Sequence, residues 1–144
     1  MLQIAVCEDE KAMGGYLKQL IEKRLAGQTE YKVEVFEAGQ ELLECGKNYD
    51  IFFLDIGLKD MSGIDMARKL RETSGAVIIF VTALKEYVFD AFDVQAFQYL
   101  LKPVNEEKFF RVLDGAVAEC LAGKGGEPLV IRIRGTYRGI MREN

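Results

Sequence analysis

The stretch DIFFLDIGLKDMSG, residues 50–63, contains four apolar residues that run without a polar break and end at the carboxylate of Asp55. Short apolar runs bounded by turn signals are typical of strands covered on both faces, as in parallel sheets. A buried carboxylate without a partner is costly, so Asp55 is expected at the strand's end and close to partner groups. It is then either a plain helix cap or surface residue, or a reactive or metal-binding group at the carboxyl edge of an α/β sheet, where such folds bind ligands.

Patterns typical of strands and of helices alternate on both sides of this stretch. Apolar or alternating runs predict five strands, at residues 2–8, 31–37, 50–56, 76–83 and 96–103. The second run alternates polar and apolar residues, as expected of a less buried edge strand. A helical spacing of apolar residues follows each strand, which gives five βα units. We therefore predict an α/β fold, a doubly wound five-stranded parallel sheet with right-handed crossovers.

Local signals mark the starts of two helices, and two glycines interrupt another. Ser62 with Asp65 resembles a capping box before the third helix, and Asn105 is predicted to cap the last one. The first helix contains Gly14 and Gly15, each of which costs about 1 kcal/mol relative to alanine in a helix interior. The fourth helix is short, and we expect packing against the core from its aromatic residues, Tyr87, Phe89 and Phe92.

The composition is that of a soluble globular domain. The 144 residues are 49% hydrophobic and 29% charged, and no apolar stretch approaches the roughly 18 residues of a membrane span. The start of the chain lacks a basic region followed by an apolar core, so no signal peptide is predicted. The sequence has three widely spaced cysteines and no histidine. This pattern predicts unpaired thiols in the cytoplasm. It also excludes catalysis by histidine and metal ligation by histidine.

Charge divides the chain into two parts. The net charge is −4, yet residues 123–144 hold five basic and only two acidic side chains, so the rest of the chain is clearly acidic. A glycine-rich stretch, AGKGGEP, lies at the junction and is typical of a linker. We therefore predict an acidic domain at residues 1–122, a linker at 123–128, and at 129–144 a short, basic, β-rich fragment of a further domain.

Chemically distinctive side chains stand at the carboxyl ends of four predicted strands. In chain order they are Glu8 and Asp9, Asp55, Thr82, and Lys102. If the first and third strands are adjacent, these side chains converge on one crevice. Three acids in one place favour a divalent cation with oxygen ligands, Mg²⁺ or Mn²⁺. A cation, a hydroxyl and an ammonium around Asp55 suit a phosphoryl group, which a carboxylate can accept as an aspartyl phosphate.

In order and spacing, these residues resemble the receiver domain of bacterial two-component response regulators. The similarity spans residues 2–122 and includes Glu8-Asp9, Asp55, Thr82, Tyr99 and Lys102-Pro103. It implies the flavodoxin-like strand order 2-1-3-4-5 of that family. Residues 80–104 are similar to the subgroup whose output is a LytTR-type DNA-binding domain. Residues 128–140 resemble the first strands of that output domain.

The resemblance implies that Asp55 is a phosphoacceptor. A sensor histidine kinase would donate the phosphoryl group, and Thr82 and Lys102 would contact the phosphoryl oxygens. Thr82 and Tyr99 would form the switch that changes conformation on activation, and the Lys102-Pro103 peptide bond would be cis. The domain would be a signalling switch and not an enzyme, with slow self-dephosphorylation at most.

The resemblance also implies a Mg²⁺ site, formed by Glu8, Asp9, Asp55 and the backbone carbonyl of Gly57. Two departures from the family pattern lie at this site. Glu8 replaces the commoner aspartate, and its longer side chain would bind the metal through water. Lys59 stands where many receivers have proline, which predicts an altered loop after Asp55.

The expected partners follow from the same resemblance. The full-length protein would regulate transcription in the cytoplasm through its LytTR-type domain and would be able to form a homodimer on activation. DNA would be bound only through the complete output domain, and no membrane contact is expected. Because residues 129–144 supply two strands at most, we expect no sequence-specific DNA binding by this chain.

Three other classes of protein remain as alternatives. An aspartate-nucleophile phosphatase of the haloacid-dehalogenase type would need a second aspartate two residues after Asp55, where Gly57 stands. A flavin-binding protein would need glycine or hydroxyl residues in the first turn, where the sequence has acids. A receiver-like interaction module that works without phosphate would lack part of the acid, threonine and lysine set, which is complete here.

Overall fold

The computed structural model describes residues 1–124, and the predicted fragment at 129–144 lies outside them. The strands are β1 (Leu2–Cys7), β2 (Tyr31–Phe36), β3 (Ile51–Leu54), β4 (Val77–Thr82) and β5 (Gln98–Leu101). The helices are α1 (Lys11–Leu25), α2 (Gly39–Glu44), α3 (Gly63–Arg71), α4 (Val88–Asp93) and α5 (Glu106–Lys124). Every strand and helix predicted within this part is present. Helix α5 also includes the first two residues of the predicted linker.

The five strands form one parallel sheet in the order β2-β1-β3-β4-β5. The predicted fold class and strand order are therefore confirmed. Strand β1 lies between β2 and β3, so that Ile4 faces Val33 on one side and Ile51 on the other. Strand β2 is an edge strand with a mixed burial pattern, as its alternating sequence predicts. The chain reverses its winding direction between β1 and β3, which opens a crevice at their carboxyl ends.

Alternate residues of the strands enter two hydrophobic layers, one on each face of the sheet. Helices α1 and α5 cover one face, with Leu17, Ile21, Phe109 and Leu113 among their buried residues. Helices α2, α3 and α4 cover the other face. Strand β3 is buried on both faces, which explains its unbroken apolar sequence. None of the helices described has both the length and the apolar content needed to cross a bilayer.

Side-chain caps explain the presence of Ser62 and Asn105 before two helices, and a close helix–strand contact explains Gly14. The Ser62 hydroxyl accepts a hydrogen bond from the amide of Ile64 at 3.1 Å, and the Asn105 side chain accepts one from the amide of Lys108 at 2.9 Å. A Cβ at Gly14 would lie 2.9 Å from Cγ1 of Val35. Glycine at this position therefore lets α1 approach β2 closely, which offsets its low helix propensity.

The prediction that Tyr87, Phe89 and Phe92 pack against the core is wrong for the two phenylalanines. Phe89 is 85% exposed and Phe92 is 79% exposed, whereas Tyr87 is half-buried against the α2–α4 layer. The helix has six residues and buries one of them, Ala91. The helix therefore contacts the core mainly through Ala91, and the two phenylalanine rings, which lie on other sides of the helix, face outward.

Candidate functional site

The crevice at the carboxyl ends of β1 and β3 contains the predicted acidic residues. Glu8 and Asp9 follow β1, and Asp55 follows β3. The amide of Asp55 donates to the carbonyl of Cys7 at 3.0 Å, which continues the pairing of these strands to their ends. One carboxylate oxygen from each of the three acids lies within 4.8 Å of the others. The sheet topology therefore brings together three residues that are far apart in sequence.

Two of the three carboxylates are removed from water. Glu8 is 1% exposed and Asp55 is 8% exposed, whereas Asp9 is half-buried. Like charges at this separation repel each other strongly when solvent is excluded. The cluster therefore requires positive charge, either from a side chain or from a bound cation.

Lys102 supplies part of that charge. Its ammonium group lies 2.8 Å from Oε1 of Glu8 and 3.1 Å from Oδ2 of Asp55, so that it bridges both acids. Burial alone would lower the pKa of Lys102, but the hydrogen bonds to Glu8 and Asp55 outweigh burial and raise the pKa above its usual value. Lys102 therefore stays protonated in the crevice. The Lys102-Pro103 peptide bond is cis, as predicted.

Glu8 is held by two donors at once. Its Oε1 accepts from Lys102, and its Oε2 accepts from the amide of Glu10 at 3.1 Å. Burial raises the pKa of Glu8 above its usual value, although both hydrogen bonds act in the opposite direction. Both carboxylate oxygens are already engaged, which supports the prediction that Glu8 would reach a metal through water.

Asp9 is anchored by the loop that follows Asp55. Its Oδ2 accepts a hydrogen bond from the backbone amide of Lys59 at 2.9 Å. Proline has no amide hydrogen, so a proline at position 59 could not donate this bond. The loop backbone thus contacts a candidate metal ligand, whereas an altered loop relative to other receivers stays a prediction.

Thr82 and Tyr99 are connected through the loop between β4 and α4. Thr82 is completely buried at the end of β4, and its hydroxyl accepts from the amide of Leu84 at 3.3 Å. The hydroxyl of Tyr99 donates to the carbonyl of the same Leu84. Tyr99 is half-buried, and its ring centroid lies 6.1 Å from that of Phe80. Leu84 therefore links the two side chains, and a movement of the Thr82 hydroxyl would be transmitted to Tyr99 through the backbone of Leu84.

Two glycines shape the turn after Asp55. The amide of Gly57 donates to Oδ1 of Asp55 at 3.2 Å, and Gly57 pairs with Ser62 in a short antiparallel bridge. A Cβ at Gly63 would lie 2.1 Å from the carbonyl oxygen of Asp55. Sequence reasoning missed Gly63, although its position after a helix cap and close to Asp55 was an available signal.

Asp60 is a second residue that the sequence did not identify. Its carboxylate accepts from the amides of Gly39 and Gln40 at 3.0 and 2.9 Å, and it therefore caps helix α2 from another loop. These hydrogen bonds from Gln40 and Gly39 hold the pKa of Asp60 below its usual value. The partner helix lies twenty residues earlier, so no local pattern predicts this cap.

The donor set fits a hard divalent cation. The three acids offer oxygen ligands only, and one ammonium does not balance three carboxylates. Mg²⁺ binds a few carboxylates and carbonyls, keeps several waters and accepts phosphate oxygens as further ligands. Glu8, Asp9, Asp55 and the carbonyl of Gly57 are therefore suited to hold Mg²⁺ or Mn²⁺ beside the buried carboxylate.

Comparison with known proteins identifies the class to which this fold and site belong. The family described as "Response regulator receiver domain" matches residues 4–114. The chain therefore belongs to the receiver domain family of response regulators. The sensory transduction protein LytT of Enterococcus faecalis is 39% identical over 112 residues, which cover 72% of this chain and 46% of that protein. The chain thus spans about half the length of this relative.

Solved structures agree with the fold. The response regulatory domain of protein mrkE from Klebsiella pneumoniae has a TM-score of 0.77 and 26% identity, over 84% of this chain and 99% of that one. The response regulator TrrA from Thermotoga maritima, solved in complex with Mg²⁺ and BeF, has a TM-score of 0.68 and 28% identity, over 83% of this chain and 99% of that one.

Proposed function

We propose that Asp55 accepts a phosphoryl group from a sensor histidine kinase in a Mg²⁺-dependent reaction. The observation that carries this proposal is the position of the Lys102 ammonium, which bridges Asp55 and Glu8 inside a cluster of three carboxylates. Such a group neutralises the acceptor before transfer and can bind a phosphoryl oxygen afterwards. The complex of TrrA with Mg²⁺ and BeF supports the same chemistry in a protein of similar fold.

The proposed step is a phosphoryl transfer to a carboxylate. An oxygen of Asp55 forms a bond to phosphorus, and the bond from phosphorus to the donor's nitrogen breaks. A divalent cation bound by Asp9 and Asp55, with Glu8 through water and the Gly57 carbonyl, would supply charge for the phosphoryl oxygens. Lys102 and the hydroxyl of Thr82 would contact those oxygens as well. The product is an aspartyl phosphate.

We further propose that this modification controls transcription through a LytTR-type output domain in the full-length protein. Support comes from the similarity to the LytT protein of Enterococcus faecalis, of which this chain matches 46%. The switch would run from Thr82 through Leu84 to Tyr99, and activation would allow a homodimer to form. No disulfide joins the three cysteines, which agrees with a cytoplasmic location.

Incubation with acetyl phosphate tests the acceptor directly. The chain is incubated with MgCl₂ and the donor, and the intact mass is measured. We expect one phosphoryl group per chain, sensitive to hydroxylamine, and none when EDTA replaces the metal. Asp55→Asn, which keeps the size of the side chain, should remain unmodified, whereas Asp60→Asn on the same loop should be modified.

The outcomes separate the alternatives. An adduct that persists in Asp55→Asn would refute the assignment of the acceptor. A folded, metal-binding chain that is never modified by any donor would indicate a receiver-like interaction module that works without phosphate. Continuous hydrolysis of a generic phosphate ester would indicate a phosphatase.

A further inference from the structure

The side chain of Arg71 joins three segments that are separate in sequence. Arg71 is the last residue of α3 and is half-buried. Its Nε donates to the carbonyl of Val94 at 2.8 Å, and its Nη2 donates to the carbonyl of Gln95 at 3.1 Å. Its Nη1 donates to the carbonyls of Ser74 at 3.3 Å and Ala76 at 2.6 Å. We call this set, Arg71 with these four carbonyls, the Arg71 clamp.

The cation of the Arg71 clamp has neutral partners. Among the ion pairs within residues 1–124, none includes Arg71. Burial lowers the pKa of Arg71 below its usual value, yet an arginine stays protonated. A cation removed from water is costly unless its donors are satisfied, so the guanidinium requires these carbonyls to stay in place. Lysine cannot form the same set, because its single ammonium does not span acceptors on different sides of a guanidinium.

The turn that the Arg71 clamp holds at the end of α4 is strained. The amide of Gln95 donates to the carbonyl of Phe92 at 2.9 Å, and the amide of Ala96 donates to the carbonyl of Ala91 at 3.1 Å. Such a pair of bonds commonly ends a helix, with a left-handed residue that is usually glycine. Here that residue is Gln95, with a φ of 59°. Because a side chain is unfavourable in this conformation, the turn needs the support that Arg71 gives from outside α4.

The amino end of α4 is joined to the candidate switch. Thr82 and Tyr99 both form hydrogen bonds with the backbone of Leu84, in the loop that leads into α4. Between its two ends, α4 buries Ala91 alone. The helix is therefore attached to the switch at its amino end and to the Arg71 clamp at its carboxyl end.

We propose that the Arg71 clamp is the fixed point of α4 during activation. The clamp keeps Val94 and Gln95 against the end of α3. A movement at Leu84 therefore turns α4 about its carboxyl end and leaves the turn into β5 in place. Arg71 is a positioning residue in this role, since it acts through the backbone of α4 and does not touch the phosphoryl group. The activating event rests on the proposed function, whereas the clamp is present without it.

Amide hydrogen exchange of the unmodified chain, followed by NMR, tests the clamp without activation. Arg71→Lys keeps the charge but loses the planar group, so exchange at the amides of Gln95 and Ala96 should become about tenfold faster. Lys69→Gln changes an exposed residue of the same helix and should leave both rates unchanged. In Arg71→Lys/Gln95→Gly both rates should return to within about threefold of the wild type, because glycine adopts the left-handed turn without strain.

The amide of Leu113 separates loss of the clamp from a general loss of stability. Leu113 is buried in the layer under α5, so its exchange reports opening of the whole domain. Rates at Gln95 and Ala96 that are equal in the wild type and Arg71→Lys would overturn the proposal. An acceleration of the same size at Leu113 would also overturn it, because Arg71 would then stabilise the fold as a whole. Rates that stay fast after Gln95→Gly is added would overturn it as well.

Beryllofluoride with Mg²⁺ tests the fixed point itself. In the wild type the amide chemical shift should change at Leu84 and stay nearly constant at Gln95, whereas in Arg71→Lys it should change at both. Wild-type changes at Gln95 as large as those at Leu84 would overturn the proposal. A missing response at Gly57, beside the acceptor carboxylate, would overturn the proposed function and the role in activation together. Exchange rates that Arg71→Lys leaves unchanged would overturn the clamp alone, so the two failures are distinguishable.

Discussion

Replacement of Gly63 by alanine should destabilise the protein through a clash that no side chain can relieve. A Cβ at this position would lie 2.1 Å from the carbonyl oxygen of Asp55, and 2.8 Å from the Asp55 carbonyl carbon and the Cα of Ile56. All three atoms belong to the backbone, so α3 must move away from the end of β3. Overpacking in a core costs about 1–3 kcal/mol, and a clash with backbone belongs at the upper end of that range. We therefore expect a loss of about 3 kcal/mol, from a total that is about 5–15 kcal/mol for a native domain.

Urea unfolding at 25 °C measures this loss, and two other glycines provide matched controls. For Gly15→Ala the new Cβ meets nothing within 4 Å, so the substitution should stabilise the protein by about 0.5–1 kcal/mol through helix propensity. For Gly14→Ala the gain in propensity is opposed by a contact of 2.9 Å with a methyl group of Val35, and the two effects should nearly cancel. The predicted order of midpoints is Gly15→Ala, then the wild type with Gly14→Ala, then Gly63→Ala. A Gly63→Ala midpoint equal to that of the wild type would refute the reasoning.

Four further predictions concern the site and the chain. In EDTA, the stability of Glu8→Gln relative to the wild type should increase as the pH rises above 4.5. The raised pKa of Glu8 gives the wild type a stabilising contribution that is present below the unfolded value of 4.5 and is lost as the pH rises through the folded value. Urea midpoints at pH 4 and pH 7 check this, and a difference between the two proteins that stays constant would contradict it. Lys102→Ala should keep the fold and Mg²⁺ binding but abolish the change in the environment of Tyr99 on addition of beryllofluoride, and an NMR response identical to that of the wild type would exclude a switch role for Lys102. Asp60→Ala should lower the unfolding free energy by about 1 kcal/mol, as the loss of a helix cap does, with Asp65→Ala as a control that should change it less. In gel retardation the 144-residue chain should show only salt-sensitive, non-specific DNA binding, and selective binding that resists salt would contradict this prediction.

The sequence predicted the sheet and the location of the site because both depend on local periodicity. The unbroken apolar run of β3 and the polar residues at the strand ends are properties of single segments, and topology then brings Glu8, Asp9 and Asp55 together. The geometry agrees with the predicted positions of Thr82 and Lys102. The phosphoryl and metal roles of these residues stay predictions that the acetyl phosphate experiment tests.

What the sequence could not predict depends on contacts through space. The cap that Asp60 provides for α2 and the clash that excludes a side chain at Gly63 both join atoms from different loops or elements. The error at Phe89 and Phe92 has another cause. Apolar residues in a predicted helix were assumed to face the core, but a helix of six residues that buries Ala91 alone has no room for two more rings.

The hydrogen bond between the amide of Lys59 and the carboxylate of Asp9 has a consequence for mutational tolerance. The donor is the backbone, and residue 59 is exposed, so the identity of its side chain should hardly matter. A complete set of substitutions at this position, scored by Mg²⁺ affinity, should therefore be flat with proline as the single outlier. Selection at such a site acts on the presence of one hydrogen atom, and every amino acid that provides it is equivalent.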